Sequence, residues 1–121
     1  MYLIHSFLFF VVIVMTLENS FQAKLIKQLK ADYPGSIITK LDANHIQGIP
    51  DLLILYENKW AVLECKRSAN ASHQPNQDYY INKMNNMSFA AVIYPENKEE
   101  VLNDLQSALR PSGTSCISRS K

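Results

Sequence analysis

A mixed α/β domain, a sheet of both strand senses flanked by helices in the order α-β-β-β-α-β-α, is what this 121-residue sequence predicts. Two observations carry that reading. Helical apolar periodicity runs over residues 17–33 and again over 96–109, and short apolar runs of strand length lie between them, bounded by Pro, Gly and Asn. No internal repeat is visible, and residues 16–109 suffice for one core but not for two.

Taken in order, Thr16 is a suitable N-cap for a helix over 17–33 that ends at Pro34-Gly35. Phe21, Leu25, Leu29 and Tyr33 fall on one side of that helix, with Gln22 and Ile26 beside them, while Lys24, Lys27 and Lys30 form a solvated face. Residues 36–41 (SIITKL) read as the first strand, and 42–50 as a loop whose backbone is fixed by Gly48 and Pro50. The run 52–56 (LLILY) and the run 60–66 (WAVLECK) read as a hairpin around Glu57-Asn58-Lys59, a turn without the favoured Gly. Residues 67–77 are a polar loop, 78–84 a short helix and 89–94 (FAAVIY) a further buried strand. Pro95 opens the last helix, with Val101, Leu102, Leu105 and Leu109 as its apolar face.

The ends differ from this domain. Residues 1–14 are strongly apolar, yet too short for a confident membrane span and without the basic lead or cleavage site of a signal peptide. Met15-Thr16-Leu17-Glu18 makes a natural start, so the expected division is an extension over 1–14, a domain over 15–110 and a disordered basic tail over 111–121. A misplaced start codon is the preferred account of the extension, and a weak membrane anchor the second; no stable membrane association is expected. Twelve basic against eleven acidic residues exclude a global nucleic-acid footprint, so any basic surface must be local, with Lys40, Lys66, Arg67 and His73 as candidates near the proposed site. Cys65 and Cys116 form neither a disulfide framework nor a zinc spacing, which fits a reducing compartment.

The chemistry concentrates between Gly48 and Arg67. Strand alternation puts Val62, Glu64 and Lys66 on one face and Leu63 and Cys65 on the other. In an antiparallel hairpin, Asp51 at the start of the first strand lies across from the end of the second, where Glu64 and Lys66 stand. Two converging carboxylates can hold a hard divalent cation, and an adjacent ammonium can handle a water nucleophile. The bland alternative is an ion pair of Glu64 with Lys66 or Lys40, with Asp51 as a loop cap. Glu18 is a third acid. A first-turn Glu suits the helix dipole, but this one points along the apolar stripe rather than among the lysines, where a carboxylate invites a partner.

Pro50-Asp51, Glu64-Cys65-Lys66, Glu18 on the preceding helix and the later Gln77, in this element order, resemble the PD-(D/E)XK nuclease superfamily. The GIPDLLILY and LECKR segments are similar to the VRR-NUC branch and the small phage endonucleases near it, relatives of Holliday-junction resolvases. The resemblance covers about residues 16–109. It implies a restriction-endonuclease-like core and a metal-dependent endodeoxyribonuclease, a hydrolase acting on ester bonds. Asp51, Glu64 and the Cys65 carbonyl would bind Mg²⁺ or Mn²⁺, with Glu18 supporting the metal directly or through water. Lys66 would orient or deprotonate the attacking water, and Gln77 would position the site or the substrate backbone. DNA is the implied partner, branched or junction forms among the candidates, with a homodimer by analogy to resolvases and a cytoplasmic location, that of the host cell for a phage-encoded protein. Two other functions compete: a DNA-binding module on a nuclease fold that does not cut, and a small structural or membrane-associated protein in which the acids form ion pairs.

Overall fold

The computed structural model describes residues 2–111, so the expected tail lies almost wholly outside the described residues. The order is α1 (Tyr2–Asp32), β1 (Ile37–Lys40), β2 (Leu52–Tyr56), β3 (Lys59–Cys65), α2 (Gln77–Met87), β4 (Phe89–Ile93) and α3 (Lys98–Leu109). A 3₁₀ turn over Pro95–Asn97 leads into α3, so the last helix starts later than Pro95 suggested. The class is mixed α+β: three helices and one four-stranded sheet in spatial order β1-β2-β3-β4.

β1, β2 and β3 form an antiparallel meander, whereas β3 and β4 run parallel. Parallel neighbours need a crossover, and α2 supplies it. The β2–β3 turn is two residues long, because Tyr56 already pairs with Lys59. Glu57 adopts a left-handed backbone with φ 58°, a conformation that a turn Gly would take without cost.

The strand pleat divides the two sides of the sheet. Leu52 and Ile54 of β2 and Ala61, Leu63 and Cys65 of β3 enter one core with Leu25, Leu29 and Tyr33 of α1 and Leu105 and Leu109 of α3. The expected stripe on α1 is therefore the core face, and Lys24, Lys27 and Lys30 are exposed. Near its end, the Arg110 guanidinium stacks over the Tyr33 and Tyr56 rings and donates to the Asp32 carbonyl at 2.7 Å, tying α3 to α1.

The N-terminus corrects the sequence expectation. Thr16 is not an N-cap: the helix runs unbroken from Tyr2, and the Thr16 hydroxyl donates back to the Val12 carbonyl at 2.8 Å inside it. The apolar residues upstream continue α1 although most are aromatic or β-branched and only middling helix formers; neither Pro nor Gly interrupts them. From Ile4 to Leu17 large apolar side chains stand in solvent, Phe7 and Phe9 being 67% and 68% exposed, and among the described side chains packing against the core begins at Phe21. α1 is long and apolar enough to cross a membrane by length and composition.

Candidate functional site

Asp51 is held by backbone on two sides. Pro50 is buried, and the Leu41 amide donates to the Asp51 carbonyl at 2.8 Å, prolonging the β1–β2 pairing. The register Leu52↔Leu63 then sets Asp51 across from Glu64 at the sheet end. The Cys65 amide donates to Asp51 Oδ2 at 2.9 Å, which fixes the carboxylate against the second strand.

Glu64 and Lys66 are the two charged side chains buried among the described residues, at 3% and 6% exposure. They share a pleat face, and Lys66 Nζ stands 3.4 Å from Glu64 Oε2. Gln77, the first residue of α2, joins them. Its Nε2 donates to Glu64 Oε2 at 2.8 Å, and its Oε1 accepts from Lys66 Nζ at 3.0 Å and from the Gln74 amide at 2.9 Å. Lys66 also donates to the Ser72 carbonyl at 3.1 Å. Two of its three protons are thus committed, leaving the third for Glu64 Oε2 or for a ligand. The loop between Lys66 and Gln77, polar and featureless in sequence, is what fastens the ammonium.

The electrostatics are strained. Burial pushes the Glu64 carboxyl up to about 7, helped by the Asp51 charge and opposed by Lys66. Burial also raises Asp51, against the Cys65 amide and Lys66, with the Glu18 charge adding to the rise. Glu64 Oε1 is buried and meets no well-formed hydrogen bond, although the Asp51 backbone amide lies near enough to the carboxylate to offset part of the rise. A buried acceptor left unsatisfied costs about 1–3 kcal/mol. The buried Glu64 carboxylate and the half-buried Asp51 carboxylate repel each other, and a cation between them would relieve that repulsion. The ion-pair alternative explains Lys66, but it leaves Oε1 and the Asp51–Glu64 repulsion unanswered.

Glu18 is half-buried on α1, close enough for its charge to act on both Asp51 and Cys65. The Cys65 side chain belongs to the core face, and burial first, then the Asp51 charge, pushes its thiol up to about 12, so it is an inert packing group. Gln22, one turn beyond Glu18, lies beside that thiol and opposes part of the rise. Sequence reasoning gave Gln22 no role; its place next to the stripe was the available signal. Lys40 is exposed, and its charge reaches Asp51. His73 pairs with Asp78 at 2.9 Å on the surface. The six expected site residues therefore divide: Asp51, Glu64, Cys65, Lys66 and Gln77 are linked by direct contacts, and Glu18 acts on them through its charge.

Among the described residues, no three His, Cys, Asp or Glu side chains converge as a ready metal cage. The candidate donors for a cation are fewer: the Asp51 and Glu64 carboxylates, with the Cys65 carbonyl directly after Glu64 in the chain. Mg²⁺ is compatible with few protein ligands because it retains several waters. Compared with known protein families, curated proteins and solved structures, the chain has no match.

Proposed function

We propose that this chain is a metal-dependent DNA endonuclease with a restriction-endonuclease-like core, hydrolysing phosphodiester bonds at the Asp51–Glu64–Lys66 end of the sheet. The observation that carries the reading is Glu64: a buried carboxylate with one oxygen short of a well-formed hydrogen bond, beside a second half-buried carboxylate and a buried ammonium. A purely structural site gains the Asp51–Cys65 hydrogen bond but also carries the Asp51–Glu64 repulsion, which a cation would turn to use. The order α-β-β-β-α-β-α and the PD…ECK spacing support the same reading.

Asp51, Glu64 and the Cys65 carbonyl would hold Mg²⁺ or Mn²⁺, with Glu18 as an outer support. When bound, such a cation lowers the pKa of a coordinated water and offsets phosphate charge. The chain's own residues do the remainder. Lys66 holds a water or a phosphate oxygen with its uncommitted proton and stabilises developing negative charge. Gln77 holds Lys66 and Glu64 through one hydrogen bond to each, so neither has to be ordered during reaction. Asp51, clamped by the Cys65 amide, keeps a second oxygen for the cation.

The test is cleavage of a panel of four-way junction, flap, single-stranded and duplex DNAs with Mn²⁺. The expected outcome is cutting that stops with EDTA and is lost in Asp51→Ala, Glu64→Ala and Lys66→Ala while the fold persists. A folded Asp51→Ala chain that cuts normally refutes the site. DNA binding that survives EDTA, with no cutting on any form, would instead favour a non-catalytic binding module.

A further inference from the structure

We infer that Gly48 and Asn76 form a main-chain wedge that positions Gln77 between Glu64 and Lys66, making both of them positioning residues of the site. The inference rests on the nuclease reading above and deepens it. Gly48 is buried with φ +91°, and Asn76, immediately before α2, is left-handed with φ 74° and ψ −11°. The two backbones touch. A Cβ at position 48 would lie 2.7 Å from Asn76 Cβ, 2.8 Å from the Asn76 carbonyl carbon and 3.0 Å from the Gln77 amide nitrogen. Only a residue without a side chain lets these segments approach so closely, and two of the three obstructing atoms are main chain, which cannot swing aside.

Each side of the contact carries one half of the site. Asp51 follows Gly48 by three residues, through the buried Pro50. Gln77 follows Asn76 directly, and the Asn76 carbonyl accepts the first helical bond of α2 from the Tyr80 amide at 3.0 Å. The Asn76 side chain makes no cap hydrogen bond, so its position is set by backbone conformation and the Gly48 contact rather than by capping. The wedge thus sets where α2 begins relative to the strand pair. Gln77 then spans only 2.8 Å to Glu64 and 3.0 Å to Lys66. A side chain at 48 would force the helix start back by several tenths of an ångström, enough to break a hydrogen bond made with both partners at once.

The experiment is a double-mutant cycle in the full chain. Gly48→Ala and Asn76→Val are each made alone and on a Gln77→Ala background. Two quantities are read: kcat on the best-cut DNA with Mn²⁺, and the Mn²⁺ concentration giving half the maximal rise in melting temperature. Each single variant is expected to lose about tenfold or more in kcat, given that misplacement by 1 Å can cost about 10²-fold. On the Gln77→Ala background the same substitutions should cost less than about twofold, while their stability loss persists unchanged. Asn76→Gly, which tolerates the left-handed backbone, should lose far less than Asn76→Val. If Gly48→Ala does not fold, the Asn76 pair decides. Equal kcat losses on both backgrounds overturn the wedge and leave the nuclease reading standing. A wild-type chain that cuts nothing, but whose melting temperature responds to Mn²⁺, transfers the cycle to that readout. One that does neither ends both ideas.

Discussion

Glu64→Gln tests the strain at the heart of the site through stability rather than activity. The Glu64 carboxyl has an ordinary value of 4.5 and stands at about 7 in the folded chain, chiefly through burial. At about 1.4 kcal/mol per pH unit, that displacement corresponds to about 3 kcal/mol against the ionised form. Between pH 4.5 and 7 the folded state retains a proton that the unfolded state has released. Stability therefore falls as pH rises through that window and stays reduced above it. Gln is a neutral isostere, so it removes the decline. Its amide oxygen can still accept from Gln77, but its NH₂ then occupies the Oε1 position and Lys66 loses a counter-charge. Those losses take back about 1–2 kcal/mol, leaving a net gain of about 1–2 kcal/mol at pH 8 in EDTA. For a chain this size that is roughly 4–8 °C in Tm. The assay is urea unfolding of both chains at pH 4, 5, 6, 7 and 8 with EDTA, repeated with Mg²⁺. The variant should match or fall below the wild type at pH 4 and exceed it at pH 8. With Mg²⁺ the gap should narrow, because only the wild type gains from binding. A stability difference that does not change across pH 4–8, or that changes in the opposite direction, refutes the reasoning.

Asp51→Asn removes a charge that raises Glu64, so the pH window of declining stability should narrow towards 4.5, as read by the same titration. A chain beginning at Met15 loses none of the core residues among the described side chains. Its unfolding free energy should stay within about 0.5 kcal/mol of the full chain, with less aggregation in light scattering. Glu57→Gly should stabilise by up to about 1 kcal/mol, since Gly takes φ 58° without the strain that Glu carries there; a loss in denaturant midpoint would mean that the Glu57 side chain matters more than its backbone.

Much of the fold was legible because its signals are local. The 3.6-residue stripe Phe21–Leu25–Leu29–Tyr33 names the face that α1 buries, and the apolar runs LLILY and WAVLECK name two strands, the second of which the structure buries on both faces. The start of α1 was misjudged because Thr16 carries a genuine capping preference. That preference is worth about 1 kcal/mol and acts only where a helix has a reason to begin; the apolar residues before it extend the helix instead. The loop from Lys66 to Gln77 was illegible for another reason. Its use of the Ser72 carbonyl and the Gln74 amide depends on main-chain groups, which every sequence possesses.

For the opposed pair itself, the sequence determined more than is usual. A period of two put Glu64 and Lys66 on one face, and the length of the hairpin brought Asp51 to the same end, because register and pleat follow from chain geometry alone. Tertiary structure decided what those groups experience. The first residue of α2, Gln77, reached both partners, and the assembled fold buried Glu64 and left one of its oxygens without a well-formed hydrogen bond. Desolvation depends on everything that surrounds a group in space, and no local pattern encodes it. Gly48 shows the same division. Its presence in the sequence announces a special backbone, but only the folded chain reveals that the space it leaves is filled by the start of α2.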